Sequence, residues 1–205
     1  VVNLLSGAML ELTIGNPLEL STDIGPVIDS VEQKKLLVYI ETMRAKKALI
    51  AQTLLPENFN AGNLNTENSN AGYFVPPTLL KIKNISELTE EHFGPICHII
   101  SFDGKEIDRI IDDINRIGYG LTLGIHTRNE KLAEKITSMV NVGNIYINRN
   151  MIGAVVGVQP FGGSGLSGTG PKAGGPHYLL RFAREKTVSN YIAAVGGNIQ
   201  LLTKQ

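Results

Sequence analysis

Residues 95–148 alternate between short apolar segments and amphipathic ones, and this alternation constrains the fold more than any other feature of the chain. PICHIISF (95–102), LTLGIHT (121–127) and NIYIN (144–148) are apolar runs of strand length, and the first is predicted to be buried. Strand, helix, strand, helix and strand at this spacing predict a parallel sheet with right-handed crossovers. The expected fold class is α/β, an open parallel sheet with helices on both faces.

The two segments between these strands carry the boundary residues and the periodicity of helices. Asp103 and Glu106 open the first helix and Gly118 closes it, while Asn129 caps the second and Gly143 is expected to end it. The predicted inward positions are Ile107, Ile110, Ile111, Ile114 and Ile117 in the first helix, and Leu132, Ala133, Ile136, Met139 and Val140 in the second.

One further helix and two further strands are predicted upstream. Asp29 followed by Glu32 resembles a capping box at the start of a helix. Its predicted apolar face consists of Leu36, Leu37, Ile40 and Met43. LIAQTLL (49–55) and YFVPPTLLKI (73–82) are predicted strands, joined by an exposed Asn-rich loop over 56–72.

The composition excludes several classes of protein. At 205 residues, with 42% hydrophobic and 19% charged residues, the chain suits a globular protein. Nineteen basic residues balance nineteen acidic ones, which argues against a nucleic-acid partner. A single cysteine, Cys97, excludes an intrachain disulfide and favours a reducing, cytoplasmic location. No apolar run has the length of a transmembrane segment.

Residues 153–176 hold nine of the 22 glycines and three of the nine prolines. The segment follows the third predicted strand, and ligands of open parallel sheets bind beyond the carboxyl ends of strands. Apolar residues are spread through it: Val155, Val156, Val158, Phe161 and Leu166. A solvated linker would not carry them. The segment is therefore interpreted as backbone shaped to lie close against other groups.

The glycine spacing also imitates a phosphate loop. Gly163, Gly165 and Gly168 fit G-x-G-x-x-G, but TGPKAGGP follows, and this stretch cannot open the helix that would hold a pyrophosphate. Lys172 lies between a proline and an alanine, so the Gly-Lys-Ser/Thr of a P-loop is missing as well. A dinucleotide or phosphate role for this loop is rejected.

The nucleophilic and metal-binding side chains form no catalytic pattern. Cys97 lies in an apolar strand with no base beside it in sequence, so it is interpreted as a buried structural residue. The four histidines lack metal-ligand spacing and are interpreted as structural or incidental: His92, His98, His126 and His177. We therefore predict no catalytic residue and no metal site in this chain.

Several long segments resemble the C-terminal part of an aldehyde dehydrogenase. They are FGPICHIISF, the motif Glu91-His92-Phe93-Gly94-Pro95, GYGLTLGIHT, GNIYINR and PFGGSGLSG. The resemblance runs from GNPLELSTDIGPVID (15–29) to the end of the chain. Most members carry a lysine in Gly-Gly-x-Lys-x-Ser-Gly, where this chain has Gly165. NRNMIGAVVGVQPFGG and SGTGPKAGGPHYLLRF resemble the L-glutamate γ-semialdehyde (Δ1-pyrroline-5-carboxylate) dehydrogenase branch, above all the dehydrogenase module of bifunctional proline utilization A proteins.

The resemblance implies roles for five residues. Glu91 would accept hydrogen bonds from the nicotinamide ribose of NAD, and Phe93 would pack beside the nicotinamide. Gly153 and Ala154 would hold the α-carboxylate of L-glutamate γ-semialdehyde through backbone N–H groups. Phe161 would wall the aliphatic part of this small-molecule substrate. The alternatives are that Glu91 is a solvated surface charge and that Phe161 is a core residue.

The resemblance also implies what lies elsewhere. The nucleophilic cysteine, the oxyanion asparagine, the glutamate base and most of the NAD-binding half are expected upstream, so this chain alone is expected to be inactive. Residues 1–182 are assigned to a partial catalytic domain, and residues 183–205 to an oligomerisation strand and tail containing KTVSNYIAAV, with a homo-oligomeric parent. FAD is expected only if a proline dehydrogenase domain is present upstream. The parent is expected in the cytoplasm or peripherally at the inner membrane.

A second hypothesis stays open beside the enzyme. The chain as given is then a non-catalytic folded module that binds a partner or associates with itself, because an exposed edge strand in the tail can pair with another chain.

Overall fold

The computed structural model describes residues 1–56, 72–155 and 157–191. Nearly all of the predicted Asn-rich loop lies outside these residues, and so does the tail beyond 191. The chain divides into two compact units. The first comprises Val1–Gly118 with Ser138–Val140, and the second comprises Tyr119–Thr137 with Asn141–Gln205.

The first unit is built on a three-stranded sheet with helix α2 packed against it. Its elements are α1 (Val2–Leu10), α2 (Ser30–Ala45), β1 (Leu49–Gln52), β2 (Thr78–Lys81), β3 (Ile96–Ile99) and α3 (Ile107–Ile117), with short 3-10 helices at Ile85–Glu87 and Gly104–Glu106. The strand order is β1-β2-β3, in which β1 is antiparallel and β3 parallel to β2.

Helix α2 follows the sequence prediction closely. The Asp29 carboxylate accepts a hydrogen bond from the Glu32 N–H at 2.8 Å, so Asp29 is the N-cap. Leu36 and Ile40 pack with Val75 in one buried cluster, and a second cluster joins α2 to the sheet through Met43, Leu80 and Ile82. Leu37 is half-buried beside the first cluster.

Helix α3 also begins and ends as its sequence predicts. The Asp103 carboxylate accepts from the Lys105 N–H at 2.9 Å, and the Glu106 carboxylate accepts from the Asp103 N–H at 3.3 Å. These reciprocal bonds open a 3-10 turn that continues into the helix. Gly118 closes the helix in the left-handed conformation, with φ of 81°.

The second unit contains the predicted parallel crossover. Its elements are β4 (Tyr119–Gly120), β5 (Thr122–Ile125), all but the last two residues of α4 (Glu130–Met139), β6 (Asn144–Ile147), β7 (Ser164–Gly165) and a 3-10 helix at Leu179–Phe182. β5 and β6 are parallel, and α4 lies between them in sequence. β4 and β7 form a separate antiparallel pair. The α/β class is confirmed, and within the first unit β3 is hydrogen-bonded to β2.

Two local predictions were wrong. Met139 is 42% exposed rather than inward. Helix α4 ends at Met139, so Gly143 does not terminate it. Gly143 instead lies where a Cβ atom would overlap the carbonyl oxygen of Gly162. The tail segment KTVSNYIAAV (186–195) forms no strand at residues 186–191, and its remainder lies outside the described residues, so the oligomerisation strand stays a prediction.

Candidate functional site

The loop that carries Glu91 and Phe93 lies in the first unit and is fastened to α2. The His92 ring stacks on Tyr39, with 3.6 Å between ring centroids and 22° between planes. The backbone of Gly94, two residues after His92, lies close to Leu36. A Cβ atom added at Gly94 would be 2.5 Å from Leu36 Cδ1. The loop is thus held from α2 by contacts at both residues.

The Glu91 and Phe93 side chains in the same loop are accessible to solvent. Glu91 is exposed and Phe93 is 76% exposed. The Glu91 carboxylate forms no ion pair or hydrogen bond with the part of the chain that the structure describes. An unpaired carboxylate and a free aromatic face two residues apart can together contact a polar, ring-bearing ligand.

A cluster of Tyr39, His92 and His98 lies beneath this loop. The Tyr39 hydroxyl is 2.7 Å from His98 Nε2. Burial lowers the pKa of both imidazoles and raises the pKa of the phenol. The histidines are therefore neutral near pH 7. Among the described residues no three His, Cys, Asp or Glu side chains are grouped to hold a metal.

Cys97 is exposed, which corrects the prediction that it is buried. It lies in β3, where successive side chains point to opposite faces, and its neighbour His98 takes the inward direction. Partial desolvation still raises the pKa of the thiol. A protonated thiol is a poor nucleophile, so the geometry gives no support to a catalytic Cys97.

Gly153 and Ala154 lie in the second unit, directly before a tight turn. In that turn the N–H groups of Val158 and Gln159 donate to the Val155 carbonyl at 3.1 and 2.9 Å. The Gln159 side chain accepts from the Val155 N–H at 3.0 Å. The N–H groups of Gly153 and Ala154 donate to no group within the described residues. Two adjacent backbone donors therefore remain available to an anion.

Phe161 follows this turn and is half-buried. Its N–H and carbonyl exchange two hydrogen bonds of 3.0 Å with Ala173. In the glycine run that begins after it, backbone packs on backbone, since a Cβ at Gly163 would overlap the Ser167 carbonyl oxygen. No α-helix follows Gly168 in residues 169–191.

Asn144, at the start of β6, was not predicted as a functional residue. Its side chain hydrogen-bonds the carbonyl of Pro160 and the N–H of Gly162, the two residues that flank Phe161. The available signal was an asparagine in a predicted strand, where that residue type is disfavoured. The five predicted site residues therefore occupy two segments: Glu91 and Phe93 share one, while Gly153, Ala154 and Phe161 share the other.

Comparison with known proteins identifies the family. The model for "Aldehyde dehydrogenase family" matches residues 1–188. The chain is 48% identical over 180 residues to a bifunctional protein PutA of Klebsiella aerogenes, covering 88% of this chain and 13% of that protein. It is 36% identical over 180 residues to a 1-pyrroline-5-carboxylate dehydrogenase of Bacillus subtilis (strain 168), covering 87% of this chain and 32% of that enzyme.

The solved structures agree with this match. A Bradyrhizobium japonicum proline utilization A (PutA) variant superposes with a TM-score of 0.80 at 48% identity, covering 91% of this chain and 18% of that one. A 1-pyrroline-5-carboxylate dehydrogenase superposes with a TM-score of 0.69 at 33% identity, covering 86% of this chain and 32% of that one. The chain thus spans less than a third of the relatives it matches, and it belongs to the aldehyde dehydrogenase family.

Proposed function

We propose that this chain is the C-terminal part of the catalytic domain of an NAD-dependent enzyme that oxidises L-glutamate γ-semialdehyde to L-glutamate in proline catabolism. The observation that carries the proposal is the 48% identity, over 88% of the chain, to a bifunctional PutA protein. The similarity to 1-pyrroline-5-carboxylate dehydrogenases supports the same substrate, because the semialdehyde is the hydrolysed form of that compound.

The loop at Glu91 fits NAD by its chemistry. The unpaired Glu91 carboxylate offers two acceptor oxygens to the vicinal hydroxyls of a ribose. Phe93, exposed and two residues away, offers an apolar face beside the nicotinamide ring. NAD, when bound, supplies the hydride acceptor for the oxidation. The contribution of this chain is to hold and orient that end of the cofactor.

The segment from Gly153 to Phe161 fits the substrate. The N–H groups of Gly153 and Ala154, which donate no hydrogen bond within the described residues, would hold the α-carboxylate. Gly153 has no Cβ to obstruct the approach of the substrate, and no described atom lies within 4 Å of the position that a Cβ would take. Phe161 would pack on the methylene groups between the carboxylate and the aldehyde. This arrangement orients the aldehyde but performs no chemistry on it.

The nucleophile is proposed to come from outside this chain. Burial raises the pKa of the Cys97 thiol on β3, and the hydrogen bond it forms with the described part of the chain goes to the His98 carbonyl, which is not a base. The oxyanion asparagine and the glutamate base that the family resemblance implies are likewise proposed to come from outside this chain. The chain alone should therefore give no turnover.

The first test measures NADH formation from L-glutamate γ-semialdehyde and NAD by the purified 205-residue chain, beside a Cys97→Ser control. No turnover in either sample is expected. Turnover that disappears in Cys97→Ser would overturn the proposal, since it would make this cysteine the nucleophile of a compact enzyme.

The second test uses the full-length enzyme that carries this segment. Glu91→Gln should raise KM for NAD several-fold, because a charge-assisted hydrogen bond becomes a neutral one. Glu41→Gln is the matched control, since Glu41 is an exposed carboxylate that pairs with Arg44 on the outer side of α2. Equal KM values for NAD in both variants would reject the role of Glu91.

The exposed end of the described chain favours a second role, in association. The large apolar side chains there are strongly exposed: Leu179 79%, Phe182 72%, Val188 76% and Tyr191 76%. We propose that the parent is a homo-oligomer and that residues 183–205 join its subunits. Loss of the oligomer on deleting 183–205, measured by light scattering, supports this role, whereas an unchanged mass contradicts it.

Among the described residues no helix is long and apolar enough to span a bilayer.

A further inference from the structure

We propose that Asn144 is a positioning residue for the segment from Gly153 to Phe161, to which the proposed function assigns substrate binding. Asn144 positions Phe161 through the backbone of the two residues that flank the phenylalanine. The Asn144 Nδ2 group donates to the Pro160 carbonyl at 3.0 Å. Its Oδ1 atom accepts from the Gly162 N–H at 3.1 Å. A single side-chain amide thus binds the backbone of both neighbours of Phe161.

A lysine arm completes this clamp. The Lys172 ammonium group bonds the Gly143 carbonyl and lies 3.4 Å from Asn144 Oδ1. The residue after Lys172 is Ala173, which exchanges the two backbone hydrogen bonds with Phe161. Phe161 is therefore held on one side by Asn144 and on the other by Ala173, and Lys172 ties the two sides together.

The burial of Asn144 explains why these contacts matter. Only 9% of this residue is exposed, although a buried amide is unfavourable unless its donors and acceptor are paired. Among the described residues its side-chain partners are Pro160, Gly162 and Lys172, which lie in the glycine-rich segment and not in the β5–β6 ladder. Its side chain is thus committed to placing residues 160–162 against the start of β6.

The close approach of glycine backbones leaves little freedom for an alternative placement. A Cβ at Gly143 would overlap the Gly162 carbonyl oxygen, and a Cβ at Gly162 would lie 3.3 Å from the Lys172 Cα. The clamp therefore operates over a short distance, and losing the amide should release the segment rather than let it re-form one residue along.

The first arm of the test needs no activity. In the 205-residue chain, hydrogen exchange at the Gly162 N–H should be faster in Asn144→Ala than in the unmodified protein. Asn144→Asp keeps the oxygen that accepts from this N–H, so exchange there should be slower than in Asn144→Ala. The matched control is Asn148→Ala. Asn148 bonds the N–H and carbonyl of Thr127 at 3.0 and 2.9 Å, so its loss should affect exchange at Thr127 and leave Gly162 unchanged.

Two exchange results would overturn the clamp. One is unchanged exchange at Gly162 in Asn144→Ala. The other is loss of protection throughout β5 and β6 in both Asn144 variants, which would assign Asn144 to folding of the whole unit instead of to placement of one segment.

The second arm is kinetic, uses the full-length enzyme and rests on the proposed function. Asn144→Ala should raise KM for L-glutamate γ-semialdehyde about tenfold, because the substrate-binding segment loses the free energy of about one hydrogen bond that positions it. KM for NAD should be unchanged. Adding Asn144→Ala to Phe161→Ala should have no further effect, because both act through the same ring.

Failure of the clamp and failure of the proposed function give different results. If Phe161→Ala leaves KM for the aldehyde unchanged, the proposed substrate contact is wrong, and the exchange arm alone decides the clamp. If Phe161→Ala raises that KM and Asn144→Ala does not, the clamp is wrong and the proposed function stands.

Discussion

Replacing Gly94 by alanine should destabilise the first unit by overfilling the space beneath the Glu91 loop. A Cβ at Gly94 would lie 2.5 Å from Leu36 Cδ1 and 3.3 Å from its Cδ2. Carbon atoms prefer separations of about 3.5–4.0 Å, so the nearest contact is short by about 1 Å or more. Leu36 is 0% exposed and cannot swing into solvent. The loop, the leucine rotamer or both must therefore move.

The expected magnitude follows from two opposing terms. Overpacking a filled core costs about 1–3 kcal/mol, whereas replacing glycine by alanine restricts the unfolded chain and recovers about 0.4–1 kcal/mol. The net loss in free energy of unfolding is then about 0.5–2 kcal/mol. Because the chain contains no tryptophan, urea unfolding is best followed by far-UV circular dichroism. Gly104→Ala is the control, since no atom lies within 4 Å of that Cβ position.

A double variant sharpens the test. Leu36→Ala alone should cost about 2–5 kcal/mol, because it leaves a cavity. In the Leu36→Ala background the Gly94→Ala change meets no leucine, so its cost should disappear and the two effects should fail to add by about 1 kcal/mol. Equal stability of the Gly94→Ala and Gly104→Ala variants, or strict additivity in the double variant, would refute the packing argument.

Three further outcomes are expected. Tyr39→Phe keeps the ring that stacks on His92 but removes the hydroxyl that bonds His98, and should lower the free energy of unfolding by about 1 kcal/mol; an unchanged urea midpoint would contradict this. Burial lowers the pKa of His92 and His98 below 6.5, with Glu90 opposing and Lys35 reinforcing the shift at His92. The neutral histidines therefore contribute their full stabilisation above pH 6.5, and this contribution is lost as the pH falls through their lowered pKa values. Thermal scans should show the melting temperature falling as the pH is lowered below 6.5. The melting temperature should fall less in a His98→Gln variant. Cys97 should react with iodoacetamide more slowly than free cysteine at neutral pH, because its raised pKa keeps it protonated, and equal rates would rule this out.

The parts of the fold that were predictable are those coded by neighbouring residues. Asp29 and Gly118 mark helix ends because the chemistry of a cap involves residues three or four positions away. The isoleucine stripe of α3 has the period of a helix, and the β5–α4–β6 crossover is contiguous in sequence. In each case local propensity and the final structure agree.

The errors arose where distant residues decide the outcome. Strand pairing assigns β3 to β2, although periodicity alone is equally compatible with a neighbour among the later strands. Gly143 has the residue type of a helix terminator, but its role is set by the backbone of Gly162, nineteen positions away. The exposure of Cys97 depends on which face of a strand is covered, and an apolar run does not specify that face.

The candidate site was predictable only through family resemblance. Nothing in the spacing of Glu91, Phe93 or Phe161 distinguishes a binding residue from a surface charge or a core aromatic. The structure adds that Glu91 is unpaired and Phe93 exposed, which the sequence could not indicate. The Asn144 contacts required knowledge of which backbone lies beside β6, and that is a tertiary property.

The attachment of the Glu91 loop to α2 has a consequence for sequence variation. The loop residues His92 and Gly94 meet α2 at Tyr39 and Leu36, so the shape of the loop depends on residues more than fifty positions upstream. A larger residue at position 94 is accommodated at lower cost beside a smaller one at position 36, and a non-aromatic residue at position 92 leaves the Tyr39 ring without its stacking partner. Among homologous sequences these two pairs should therefore change together, even where Glu91 and Phe93 stay the same.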